Sequence, residues 1–336
     1  SDAENQPDFS IQLTGNVRPY VRDVASPNPE FRAAIESIRS DAGLVGLAAA
    51  VVRGRDIVAL EGVGFADREA AIPVDPRQTR FRWASVAKSM GVVSALIRSE
   101  DIDLDVPIQT YFPEYEVPGL YLQGSCRAVS CATELPEAER RITLRQLFSH
   151  RGGIQHYSDG VENPTPRAVE VNNPLVNTGM EWALANFINN PLVGVPGTLY
   201  NYSSFGYNLA GVVLEKALGL QYELIVINHV ARPIGASTLV ADRFWAEIPN
   251  RSVGYRFASS TASEPVLDGN TDVSWKLAGG GFISTIVDLA RYCGALQDEV
   301  LLSTDQKERE FWADPYDQNY GLGIGVGRSR GNVLIS

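Results

Sequence analysis

Ser85 and Lys88, three apart in Ser85-Val86-Ala87-Lys88, and Tyr202 in Tyr202-Ser203-Ser204 are the residues of this chain whose types and spacing could do chemistry. Residues three apart on a helix share a face, so a serine hydroxyl and a lysine amine at that spacing come within hydrogen-bonding reach. A serine is a weak nucleophile until a base takes its proton. Lys88 can be that base if desolvation and the positive end of a helix disfavour its ammonium form. A helix start would also offer backbone N–H groups to a developing oxyanion. A bland reading stands beside this one, in which Ser85 is an N-cap and Lys88 a surface residue one turn in. The neighbours Val86, Ala87, Met90, Val92 and Val93 weigh against it, because they leave the lysine little polar face.

A tyrosine at a loop-to-helix junction can present its phenol to a cleft, where a nearby ammonium would equip it to shuttle protons. Tyr202 stands at such a junction, after the Pro196-Gly197 turn and before the apolar run Tyr207 to Leu218. Its alternative is an aromatic loop packed on the core. No Gly-x-Ser-x-Gly elbow is present, and the histidines (His150, His156 and His229) lack metal-ligand spacing such as His-Glu-x-x-His, so a Ser-His-Asp triad is the weaker mechanism.

The elements that must position these groups can be read from periodicity. Residues 1 to 28 read as an extended polar arm, and Phe31, Ile35 and Ile38 mark one helical face. Leu44 to Val52 and Ile57 to Gly64 read as a hairpin of buried strands. A buried helix is expected from Met90 to Ile97, and the stretch from about 106 to 265 reads as mainly helical with long loops. Helical candidates there are Leu144 to Ser149, Gly179 to Asn189 and Tyr207 to Leu218, the last stopping at Gly219. Trp275 to Phe282 reads as a Gly-rich strand or turn and Thr285 to Leu296 as a helix, with Tyr320 to Val326 and Asn332 to Ile335 as a closing strand pair. The fold class is α/β, built from residues 29–105 and 266–336 with the 106–265 helical domain inserted between them.

With 336 residues and 44% hydrophobic content the chain can bury a large core. A net charge of −11 speaks against nucleic acid or an anionic membrane as a partner. No run of eighteen apolar residues is present to span a bilayer. Cys126 and Cys131 bracket a short polar loop that a disulfide could close, which would place the protein in a periplasm or outside the cell; the alternative is two free thiols. Cys293 reads as a buried small hydrophobe. The start at Ser1-Asp2-Ala3 reads as a processed or engineered N-terminus.

The motif pair Ser85-x-x-Lys88 and Tyr202-Ser203-Ser204 resembles the first two motifs of the serine β-lactamase-like and penicillin-binding superfamily, in the branch of class C β-lactamases, D-aminopeptidases and related esterases. Further landmarks fall in that family's order: Leu104-Asp105-Val106-Pro107, Ile142 to Ile154, Pro196-Gly197, Ala278 to Thr285 with Asp288-Leu289-Ala290, and Tyr320-Gly321-Leu322-Gly323. Ser149-His150-Arg151-Gly152-Gly153-Ile154-Gln155-His156-Tyr157 most resembles the mitochondrial serine β-lactamase-like peptidases.

The resemblance implies a mixed, mainly antiparallel sheet flanked by helices plus an all-helical domain, with the site between them, and acyl-enzyme chemistry without metal or cofactor. By position, Ser85 is implied as nucleophile, Lys88 as its activating partner and Tyr202 as the acid/base for the leaving group. Ser204 and His150 are implied as substrate-binding residues, with a structural role as the alternative for His150. Ser204 stands where many relatives carry Asn, with a shorter side chain and a different donor pattern, which argues against β-lactam turnover. The family's third motif normally follows a strand like Gly331 to Ser336, so the reading expects a C-terminal segment continuing after Ser336. The expected activity is that of a peptidase or amidase with side activity on esters; a non-hydrolytic acyl-trapping sensor or scaffold and a true β-lactamase are the alternatives. The expected location is periplasmic or secreted, alternatively organelle-imported.

Overall fold

A computed structural model describes residues 20–118, 120–122, 132–134, 136, 139–156, 179–268, 271–313, 316, 319–329 and 332–335. The proposed Cys126–Cys131 bridge lies outside these residues, as do most of the expected N-terminal arm and Ser336.

The first helix, Pro29–Asp41, starts where Asn28 caps it by accepting the Phe31 amide at 3.0 Å, with Pro29 in the first turn. Of its expected face only Ile35 is buried; Ile38 is exposed, because the helix lies along the outside of the sheet. Strands Gly46–Arg53 and Asp56–Asp67 form the expected antiparallel hairpin, with Arg53 opposite Asp56. Arg22–Asp23 adds to the outer edge of Asp56–Asp67 in parallel. In a second sheet Phe282–Thr285 lies between Arg80–Arg82 and Val240–Ala241, antiparallel to both. This second sheet leads directly into the site, since the chain leaves Arg80–Arg82 at Trp83. There the Trp83 amide donates to the Phe282 carbonyl at 2.9 Å and the indole N–H to Ser284 Oγ at 2.7 Å.

Two buried helices form the core behind the site. Lys88–Ile97 buries Lys88 through Leu96, and Ser204–Leu218 buries Ser204 through Leu214. Neither has a polar side over its buried length, as expected of helices enclosed by protein on all faces. Ser204–Leu218 ends at Gly219, whose φ of 63° is the left-handed cap that glycine accommodates without a Cβ clash. Among the described residues, no helix is long and apolar enough to cross a membrane.

Several expectations are corrected. Gly179 to Asn189 is helical only over Glu181–Asn186, as a 3₁₀ turn ending at Phe187, which stacks on Phe205 at 4.6 Å. Trp275 to Phe282 is helical, Ser274–Lys276 then Leu277–Gly280, with the strand beginning only at Phe282. In the closing strand pair Asn332–Ile335 lies as expected, while its partner is Val326–Ser329, later than the expected Tyr320 to Val326. Cys293 is exposed rather than buried. It lies on the line Ile286, Leu289, Cys293, Gln297 of helix Ile286–Gln297, while Val287, Asp288, Ala290 and Gly294 make the inward face.

Candidate active site

Ser85 sits on a 3₁₀ turn, Ala84–Ala87, that runs into the helix Lys88–Ile97; the expected single helical turn is thus the tighter form of helix. The turn is entered through Ala84 at φ 48°, a left-handed conformation that a non-glycine residue adopts at a cost. Gly280 holds it in place. A Cβ on Gly280 would stand 3.1 Å from the Ala84 backbone, and its own φ of 154° suits glycine alone. Close backbone packing therefore presses the strained turn outward, leaving Ser85 exposed to solvent while Lys88, one turn on, is 0% exposed.

Lys88 Nζ donates to the Gly279 carbonyl at 2.6 Å and lies 3.1 Å from both Ser85 Oγ and Ser204 Oγ. Burial, followed by the nearby Lys276 charge, lowers the Lys88 pKa from 10.5 to about 7. A neutral amine at this position can keep donating to Gly279 and Ser204 while turning its lone pair to the Ser85 hydroxyl. Tyr202 completes the triangle: its hydroxyl donates to Ser85 Oγ at 2.7 Å, and its ring lies 4.8 Å from Lys88 Nζ.

The Tyr202 loop is fixed by two histidines. His150 Nδ1 accepts the Ser203 amide at 3.0 Å, and His156 Nδ1 accepts the Ser204 amide at 3.2 Å, so both rings serve the first N–H groups of helix Ser204–Leu218. Ser203 caps the same helix, its Oγ accepting the Gly206 amide at 2.8 Å and donating to the Gln155 carbonyl at 2.7 Å. With Nδ1 used as an acceptor, the His150 proton is on Nε2, which meets the Tyr320 hydroxyl at 3.1 Å. Burial, then the charge of Lys88 and then His156 push the His150 pKa well below 6.5, so the ring stays neutral and keeps that tautomer. His150 reaches its place by a φ of 59°, just past helix Leu144–Phe148, whose start is fixed by the Thr143/Gln146 capping box.

The structure thus brings Ser85, Lys88 and Tyr202 into mutual contact. Ser204 and His150 it places in the buried support of that triangle, Ser204 against the lysine and His150 beneath the tyrosine, ring centroids 4.3 Å apart. Sequence reasoning gave no role to the Gly279 carbonyl, His156, Tyr320 or Lys276. A backbone carbonyl carries no side-chain signal; His156 was visible only as a neighbour of His150. Among the described residues no group of His, Cys, Asp or Glu is disposed to hold a metal. His150→Ala should remove the Ser203 acceptor and leave a strained left-handed alanine, lowering stability by about 2–4 kcal/mol. His150→Asn, which tolerates that backbone and carries an oxygen near the Nδ1 position, should recover part of it; urea unfolding of the two variants is the check.

The beta-lactamase family pattern matches residues 31–335. The chain belongs to the beta-lactamase family. This is a family of serine hydrolases of β-lactamase/transpeptidase-like fold that includes esterases, amidases and penicillin-binding-like proteins. The bovine mitochondrial serine beta-lactamase-like protein LACTB is 26% identical over 83% of this chain and 58% of its own length. Esterase EstB of Burkholderia gladioli is 28% identical over 63% of this chain and 51% of its own length. The chain therefore spans little more than half of these relatives. Among solved structures, the octameric penicillin-binding protein homologue from Pyrococcus abyssi superposes with a TM-score of 0.68 at 20% identity, covering 91% of this chain and 66% of that one. The D-amino acid amidase from Ochrobactrum anthropi SV3 gives a TM-score of 0.67 at 21% identity, with 91% and 83% coverage. At these identities the superpositions establish the fold.

Proposed function

We propose that the chain forms an acyl-enzyme at Ser85 and releases it to water, acting on a small peptide or amide and, as a side activity, on esters. What carries this reading is the convergence of two proton-handling groups, Lys88 Nζ and Tyr202 Oη, on the one exposed hydroxyl of Ser85. Neutral Lys88 takes the Ser85 proton as Oγ attacks the substrate carbonyl. Tyr202 then supplies a proton to the departing amine as the tetrahedral intermediate collapses, and the same groups activate the water that cleaves the ester to Ser85. Ser204 accepts a hydrogen bond from Lys88 Nζ and fixes the direction of the amine, and His150 and His156 hold the tyrosine loop. With the Ser204 hydroxyl committed to Lys88, the position is poorly suited to grip a substrate amide, which argues against β-lactam turnover. The mitochondrial LACTB relatives support an organellar setting as the alternative to an exported one.

The test is turnover of a panel of amino-acid amides, p-nitroanilides, p-nitrophenyl esters and a chromogenic cephalosporin by the protein and its Ser85→Ala variant. Amide turnover lost in the variant supports the reading. Acylation without turnover of any of them replaces it with the acyl-trapping reading, and cephalosporin turnover alone with that of a β-lactamase.

A further inference from the structure

One residue holds both neighbours of Tyr202. The His150 carbonyl accepts the Asn201 amide at 2.8 Å and His150 Nδ1 accepts the Ser203 amide at 3.0 Å, so the tyrosine is bracketed by a backbone grip and a ring grip. The imidazole also carries the Tyr202 ring, with centroids 4.3 Å apart. The ring grip depends on which nitrogen bears the proton. A backbone amide can only donate, so Nδ1 must present its lone pair and the proton of the neutral ring must sit on Nε2. That leaves the Nε2–H of a buried ring in need of an acceptor, and the Tyr320 hydroxyl, 3.1 Å away, is the one it meets. Tyr320 stands on a turn that is itself fixed. The Gly321 amide donates to the Ile324 carbonyl at 2.9 Å, the Val326 amide to the Asn319 carbonyl at 2.8 Å, and the Gly323 amide to the Phe148 carbonyl at 3.1 Å, two residues before His150. At Gly323, whose φ is 75°, a Cβ would lie 3.2 Å from Ser89 Cα, so the turn rests on the backbone of the helix that carries Lys88.

We propose that Tyr320 is a positioning residue of the acyl-transfer reaction: by accepting from Nε2 it holds the His150 ring with Nδ1 on the Ser203 amide, and so holds the Tyr202 hydroxyl on Ser85 Oγ. The proposal rests on the hydrolase reading of Ser85, Lys88 and Tyr202 and adds a residue to it. The groups facing the imidazole are Tyr200 and Tyr202 from the loop before helix Ser204–Leu218, Tyr207 from that helix and Tyr320 from its turn, with the charges of Lys88 and His156 nearby. Among the described residues the Tyr320 hydroxyl is the acceptor for Nε2. Without that oxygen the ring keeps a buried donor unpaired or turns towards another acceptor, and in turning it takes Nδ1 off the Ser203 amide. Tyr202 then loses its fixed place, with its hydroxyl 2.7 Å from Ser85 Oγ, and a small displacement of a proton-transfer group is costly in rate. The half-buried Tyr320 thus acts on the nucleophile through two residues that lie 170 and 118 positions away in sequence.

Spectra of protein labelled with ¹⁵N-histidine read the tautomer without catalysis: the chain has three histidines, and the His150 signals are those that vanish in His150→Asn. The unaltered protein should show a protonated Nε2 and a bare Nδ1. Tyr320→Phe, which keeps the ring and removes only the hydroxyl, should lower kcat on an amide about ten-fold with KM changed less than about two-fold, and should spare a p-nitrophenyl ester of the same acyl group. In a Tyr202→Phe background the same substitution should cost less than about two-fold, because the hydroxyl that Tyr320 positions is already gone. A protonated Nδ1 in the unaltered protein overturns the proposal, and so does full amide turnover in Tyr320→Phe. Equal losses in the two backgrounds, or a loss carried by KM, overturn it as well, making Tyr320 a structural residue or a substrate contact. If the tautomer is as expected but no form of the protein turns over any amide or ester, the hydrolase reading falls and takes the reaction role of Tyr320 with it; a wrong tautomer with turnover intact overturns the proposal alone.

Discussion

Lys88→Met should end acylation of Ser85, slowing it by about 10³-fold or more, and should nonetheless make the protein more stable at pH 7. Burial lowers the Lys88 pKa from 10.5 to about 7. The unfolded chain therefore binds this proton more tightly than the folded one. The cost to stability is absent above pH 10.5, grows as pH falls towards 7, and levels off below that, where both states are protonated; at pH 7 it is about 4–5 kcal/mol. Methionine fills a similar volume without that linkage. It strands the Gly279 carbonyl, which offsets about 1–3 kcal/mol of the gain. Urea unfolding at two pH values separates these terms: a net gain of about 2 kcal/mol for Lys88→Met at pH 7, and a loss at pH 10.5. A stability difference that does not change with pH would mean that Lys88 is an ordinary charged lysine, and the proposed base would be lost with it.

Tyr202→Phe should lower amide turnover by about 10²–10⁴-fold while leaving the fold intact. The phenyl ring keeps the packing on His150 and the face turned to Lys88, and only the hydroxyl 2.7 Å from Ser85 Oγ is lost. If that hydroxyl serves the leaving group, an amide suffers most, because an amine cannot depart without a proton. A p-nitrophenyl ester needs no such help and should lose less than about ten-fold. Measuring kcat/KM on an amide and an ester that share one acyl group decides the point. Equal losses on both would assign Tyr202 to activation of Ser85 and leave the leaving-group proton to another group.

That Ser85, Lys88 and Tyr202 are candidates to meet was legible in the sequence because their spacing is local or announced by a junction. Ser85 and Lys88 lie within one turn, and Tyr202 stands where a proline-glycine turn meets an apolar helix. Their support was not legible. Lys88 depends on a carbonyl from 191 residues away, and His150 on Tyr320, 170 residues on, contacts that only the packed fold creates. The misread elements have similar causes. Trp275 to Phe282 carries three glycines that look like a turn, yet the small residues there let a short helix press against Ala84 and Ser204, where a Cβ would stand 3.1 Å from backbone atoms. Cys293 reads as a buried small hydrophobe within an amphipathic helical pattern, but the line of the helix that carries it faces outward.

The most direct test of the central claim is the intact mass of the protein before and after a fluorophosphonate probe, with Ser85→Ala alongside. A single adduct on the unaltered protein, located at Ser85 by peptide mapping and absent from the variant, is the expected result. No adduct on either, or an adduct that persists in Ser85→Ala, would contradict the assignment of Ser85 as an activated nucleophile.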